Sequence, residues 1–87
     1  MDRYIGLDAH AASCTLGIVG PSGRRLREQV VETSGEALVG AIRSIGGQRQ
    51  LCIEEGELSN WLYALLKPHV ARVVVARAMR WNSYDLI

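Results

Sequence analysis

Phenylalanine is missing from the 87 residues, and two Trp and three Tyr supply all the aromatic rings. A core must therefore be built from Val, Leu, Ile and Ala, the main sources of the 48% apolar content. That fraction favours a folded chain over a disordered one, but a chain this short makes one small domain with a thin core. Neither sign of charge dominates: ten Lys and Arg against nine Asp and Glu leave a net charge of +1. Total charge thus does not mark a nucleic-acid binder, and only local patches can decide the matter. No apolar run approaches the ~20 residues of a membrane span. Met1-Asp2-Arg3-Tyr4 leads directly into a strand pattern, without the regions of a signal peptide. The expectation is a cytoplasmic chain with no membrane partner. Cys14 and Cys52 are the only cysteines, without CxxC spacing or a His at ligand spacing. They read as small buried hydrophobes in a reducing compartment rather than as zinc ligands.

The apolar pattern is organised throughout, without repeats, low-complexity tracts or a linker. Residues 3–8 read as a first strand. Ser13–Val19 reads as a second, with Cys14, Leu16 and Ile18 alternating against Ser13, Thr15 and Gly17. Gly20-Pro21-Ser22-Gly23 is a hairpin turn. Arg24–Val31 follows as a half-polar strand of the kind found at a sheet edge. Thr33 or Ser34 can cap a helix whose apolar face is Ala37, Leu38, Ala41, Ile42 and Ile45, ending at Gly46-Gly47. Gln50–Glu54 is the fourth strand. A second helix starts near Ser59, buries Leu58, Trp61, Leu62, Leu65 and Leu66, and stops at Pro68. Arg72–Ala76 is a fifth strand, whose continuous apolar run predicts burial on both faces. The order βββαβαβ predicts an α/β fold with a mixed five-stranded sheet and helices packed on it, as in ribonuclease H-like domains. In that arrangement the first and fourth strands are neighbours at the sheet centre.

This prediction gives weight to two acids. Asp8 ends the run Tyr4-Ile5-Gly6-Leu7, and Leu51-Cys52-Ile53 runs into Glu54 and Glu55. A carboxylate at the end of a buried strand is costly without a partner or a metal. Two of them on adjacent strands are what a divalent-cation site requires. Strand alternation sends Glu54 and Glu55 to opposite faces, and Glu54 is the preferred partner because Glu55 begins the next loop. The simpler reading of Asp8 is a turn former or helix cap. His10 and His69 read as loop residues. Arg24, Arg25, Arg27, Arg43 and Arg72 are ordinary surface arginines or phosphate contacts, whereas Arg77 and Arg80 follow the fifth strand at the acid-bearing end and are better placed for a nucleic-acid backbone. Trp61 is at core spacing, and the role of Trp81 and Tyr84 is open.

Several segments together resemble the N-terminal domain of the insertion-sequence 110 family of bacterial transposases. They are Tyr4-Ile5-Gly6-Leu7-Asp8-Ala9-His10, Ala12-Ser13-Cys14-Thr15, Pro21-Ser22-Gly23 and Gln29-Val30-Val31-Glu32-Thr33, followed by Leu51-Cys52-Ile53-Glu54-Glu55-Gly56, Trp61-Leu62-Tyr63 and Val73-Val74-Val75-Ala76-Arg77. The resemblance spans residues 3–77. It implies a RuvC-like, ribonuclease H-like domain whose four acids, Asp-Glu-Asp-Asp, bind Mg2+ for DNA cleavage and transfer. It also implies DNA and a structured guide RNA as partners, with a nucleophilic serine on a separate domain. By this resemblance Asp8 is the first acid and Glu54 the second, with Glu55 the alternative if the register is shifted by one.

The departures are as informative. The Lys-x-Asp-x-x-Asp-Ala motif that holds the other two acids is not in this sequence, and Asp85 lacks its flanking residues. Ala11 stands where the family commonly has a basic residue. Residues 78–87 read as a divergent tail after a partial domain at 1–77. The expectation is a truncated transposase fragment, inactive alone, which associates with a full-length relative or with itself, the exposed third strand being the candidate seam. Two rivals are a non-catalytic nucleic-acid-binding or self-associating remnant, and a nucleotide-binding module of the sugar kinase and actin type. The latter lacks a second phosphate loop here.

Overall fold

The computed structural model describes residues 1–77, so Arg80, Trp81, Tyr84 and Asp85 of the tail lie outside the described residues. The elements run β1 (Asp2–Ala9), β2 (Ser13–Val19), β3 (Arg25–Glu32), α1 (Gly35–Arg43), β4 (Gln48–Glu54), α2 (Ser59–Leu66) and β5 (Arg72–Ala76), with a short 3-10 turn at Lys67–His69. They form an α/β structure with one mixed sheet in the order β3-β2-β1-β4-β5. β1 pairs antiparallel with β2 and parallel with β4, and β4 pairs parallel with β5.

Local chemistry explains the boundaries. Between β2 and β3, Gly23 takes φ 84° and its N–H donates to Gly20 O at 3.0 Å, while Gly20 N–H donates to Arg24 O at 2.9 Å. A side chain at position 23 would strain that turn. Ser34 is the cap of α1: its Oγ accepts from Ala37 N–H at 3.1 Å. β4 begins at Gln48, earlier than its apolar run suggests, because Gln48, Arg49 and Gln50 pair with Asp2, Arg3 and Tyr4. Arg49 supports this entry by donating to Ile45 O at 2.8 Å and His69 O at 2.9 Å. Pro68 does not end the helical path at once. It sits in the first positions of the 3-10 turn, where no backbone N–H is needed for a hydrogen bond within the turn.

The core lies on one face of the sheet. Ile5, Leu7, Leu16, Ile53, Leu38, Ile42, Leu62 and Leu66 are all at 1% exposure or less. Each such side chain contributes roughly 1.5–3 kcal/mol of burial. Both helices pack on this face through a single apolar cluster.

Two expectations are corrected here. Trp61 is 41% exposed, because Leu58, Leu62, Leu65 and Leu66 centre the apolar stripe of α2 and leave Trp61 on its flank. β5 is not buried on both faces: Val74 and Val75 are each 42% exposed, because β5 is the last strand of the sheet. Its apolar run reads like a central strand but occupies an edge.

Candidate acidic site

The register that orders the core also builds the site. β1 and β4 are in parallel register through Leu7 opposite Ile53, so the next residues of each strand are Asp8 and Glu54. Leu7 and Ile53 are fully buried on the helix-covered face, and strand alternation turns the next residues, Asp8 and Glu54, to the other face at the strand ends. Asp8, Ala9, His10, Glu54, Glu55, Gly56, Leu58, Ser59 and Leu62 line one cavity of about 180 Å3. Two acids far apart in sequence thus meet at the carboxyl ends of adjacent strands.

Their interaction is legible in the proton affinity of Glu54. Its carboxyl is pushed above the usual glutamate range by burial and then by the neighbouring Asp8 carboxylate, while His10 pulls it partly back. Cys52, two residues earlier on β4, is pushed up by burial and then by Glu54, as expected for neighbours on one strand face. Glu55 lines the same cavity but is exposed, and its N–H donates to Ala76 O at 2.7 Å. The pairing with Asp8 is therefore made by Glu54.

His10 is the residue that sequence reasoning undervalued. Its Nε2 lies 3.2 Å from Asp8 Oδ2, although the imidazole is well exposed. The signal was the spacing: residues two apart on extended backbone project to the same side. The loop carrying it is anchored. Thr33 Oγ1 donates to His10 O at 2.6 Å and Thr33 N–H to Ala12 O at 3.1 Å, while His10 N–H donates to Ser13 O at 3.0 Å. With the Thr33 hydroxyl proton so used, Cys14 Sγ at 3.2 Å is the donor to Thr33 Oγ1. Cys14 is thus a buried hydrophobe, as expected, with one polar contact.

The arginines divide by position. Arg77 is exposed just after β5, which runs parallel to β4, so it stands at the acid-bearing end of the sheet. Arg25 and Arg27 are exposed on edge strand β3, and Arg25 Nη1 lies 3.7 Å from Glu28 Oε2. Among the described residues, no three His, Cys, Asp or Glu side chains converge in a metal-holding group, and no helix is long and apolar enough to cross a membrane. Compared with known proteins, the chain matches no family model and no curated protein.

Proposed function

We propose that residues 1–77 are a ribonuclease H-like domain of the insertion-sequence 110 transposase type, in which Asp8 and Glu54 are two of the four acids of a Mg2+ site for DNA strand cleavage and transfer. The observation that carries this reading is the shared cavity of Asp8 and Glu54 at the ends of adjacent parallel strands. The residues fit the ion as part of a ligand set: two carboxylates offer hard oxygen donors, and a divalent cation would relieve their mutual repulsion. A bound Mg2+ supplies polarisation of a phosphoryl oxygen and a more acidic water.

The chain's own residues act around that ion. β1 and β4 fix the spacing of the carboxylates. The Thr33 anchors hold the loop that sets His10 against Asp8. Arg77, exposed at the same end, would meet a phosphate of DNA or of a structured guide RNA. The 87 residues contain two of the four acids, and half a ligand set neither holds the ion tightly nor aligns an in-line attack. These 87 residues by themselves are therefore expected to bind metal weakly and not to cut DNA.

The test is Mn2+ titration of the 87-residue chain followed by NMR line broadening. Amides around Asp8 and Glu54 should broaden first, and Asp8→Asn should abolish the effect. Broadening centred elsewhere, or unchanged in Asp8→Asn, overturns the metal assignment. Cleavage of branched DNA in Mg2+ by the chain alone overturns the incomplete-site part.

A further inference from the structure

The two edges of the sheet are built differently. β3 exposes Leu26 and Val30, but intersperses them with exposed Arg25, Arg27, Glu28 and Glu32, charges that discourage pairing with another chain. β5 carries Val73-Val74-Val75-Ala76 with no charge between Arg72 and Arg77, and among the described residues no strand lies along its outer side. Val74 also faces an uncovered part of the sheet. With Tyr4, Gly6, Gln50, Cys52 and Arg72 it lines an apolar groove of about 360 Å3 on the side away from the helices. An unprotected apolar edge beside an apolar groove is a template for strand pairing.

Charge indicates which chain fits there. β4 and β5 are in register with Gln50 opposite Arg72, Cys52 opposite Val74 and Glu54 opposite Ala76. Alternation puts these six residues on one face of the sheet. An antiparallel partner strand centred on Val74 would set its own residue 72 opposite Ala76, projecting to that same face. We propose that two copies of this chain join their β5 strands antiparallel about a twofold axis at Val74, so that the partner's Arg72 reaches the Asp8–Glu54 pair. The row across the sheet then reads the partner's Arg72, Ala76, Glu54, Asp8. Ala76 is the only residue between guanidinium and acid, and its methyl group blocks nothing. An extended arginine and a glutamate facing each other together cover two strand spacings, about 10 Å. The guanidinium offers a fork of donors to carboxylates that otherwise repel each other. The twofold repeats the contact, so each copy supplies one arginine and receives one. All five residues of β5 are paired in this register. The valines that the edge position leaves exposed are then covered.

The inference rests on where Asp8, Glu54 and Arg72 lie and not on the transposase reading. Sedimentation of the full 87-residue chain over a wide concentration range tests it. Wild type should show a monomer–dimer equilibrium. Arg72→Glu and Val74→Lys should each weaken it by roughly tenfold or more, while Val30→Lys on β3 should leave it unchanged. The exchange Arg72→Glu with Glu54→Arg should restore association relative to Arg72→Glu alone, with circular dichroism verifying that each variant is folded. A chain monomeric throughout, a dimer indifferent to Arg72→Glu, or one abolished by Val30→Lys overturns the proposal. A monomer whose Mn2+ site still depends on Asp8 removes the dimer and leaves the functional reading standing.

Discussion

Replacing Gly47 by alanine tests whether the start of the β1–β4 ladder is as constrained as the geometry says. Gly47 holds φ 80°, in the left-handed region. An L-residue there costs about 1 kcal/mol or more. A Cβ on Gly47 would also overlap the Met1 carbonyl oxygen, a backbone atom with little freedom to move. That oxygen accepts from Gln48 N–H at 2.9 Å, so relieving the overlap sacrifices the hydrogen bond that opens the pairing of β1 with β4. Its loss adds about 1 kcal/mol. The sum is roughly 2–3 kcal/mol, and in a domain this small each kcal/mol moves Tm by about 4–8 °C. Gly47→Ala should therefore melt roughly 10–20 °C below wild type by circular dichroism. The control is Gly40→Ala in α1, where a new Cβ has open space and should stabilise by about 0.5–1 kcal/mol. If Gly47→Ala melts within about 3 °C of wild type, the constraint is not there and the register argument for Asp8 and Glu54 loses its anchor.

Three further outcomes follow from named residues. Glu54 binds its proton more tightly in the folded state than in the unfolded chain, so folding loses stability as pH rises from the ordinary glutamate range through the raised value. Glu54→Gln should thus match wild type at low pH and exceed it at neutral pH; Tm measured from about pH 3 to 7 should show the two curves diverging, and parallel curves would refute the repulsion. Leu62→Ala should cost about 2–5 kcal/mol because the side chain is fully buried, whereas Trp61→Ala should cost well under half as much, a contrast read from urea midpoints. Cys52, raised by burial and by Glu54, should react with iodoacetamide more slowly than a free thiol at pH 8, and Glu54→Gln should speed it.

Much of this arrangement was readable before the fold. The alternation of Cys14, Leu16 and Ile18, the Gly20–Gly23 turn and the cap at Ser34 are local signals, and local energetics decide those boundaries. The adjacency of Asp8 and Glu54 is expected from the element order once it is likened to a ribonuclease H-like arrangement, and the parallel pairing of β1 with β4 brings those strand ends together. Trp61 and the β5 valines were misread for one shared reason. An apolar pattern records which residues can be buried, while burial also depends on what lies across from them. Leu62 packs into the cluster between the helices and the sheet, whereas Trp61 and Val74 lie outside that cluster and stay about 40% exposed. His10 was undervalued because its neighbour Asp8 is set by strand geometry rather than by apolar pattern.

Folding alone does not account for the acid pair. A glutamine at position 54 would relieve repulsion, and the only cation beside the acids among the described residues is His10, which is exposed and charged only when protonated. In the two proposals above, positive charge from outside the monomer completes the site, either as a divalent ion or as the guanidinium of a second copy. These two cations would stand in the same place, so linkage makes them antagonists: whatever the ion gains in affinity from a monomer, the dimer loses. Raising Mg2+ at constant ionic strength should shift wild type toward monomer in sedimentation, and the shift should vanish in Asp8→Asn. If Mg2+ instead strengthens the dimer, ion and arginine do not share the carboxylates, and the two roles assigned to Asp8 and Glu54 belong to different places on the molecule.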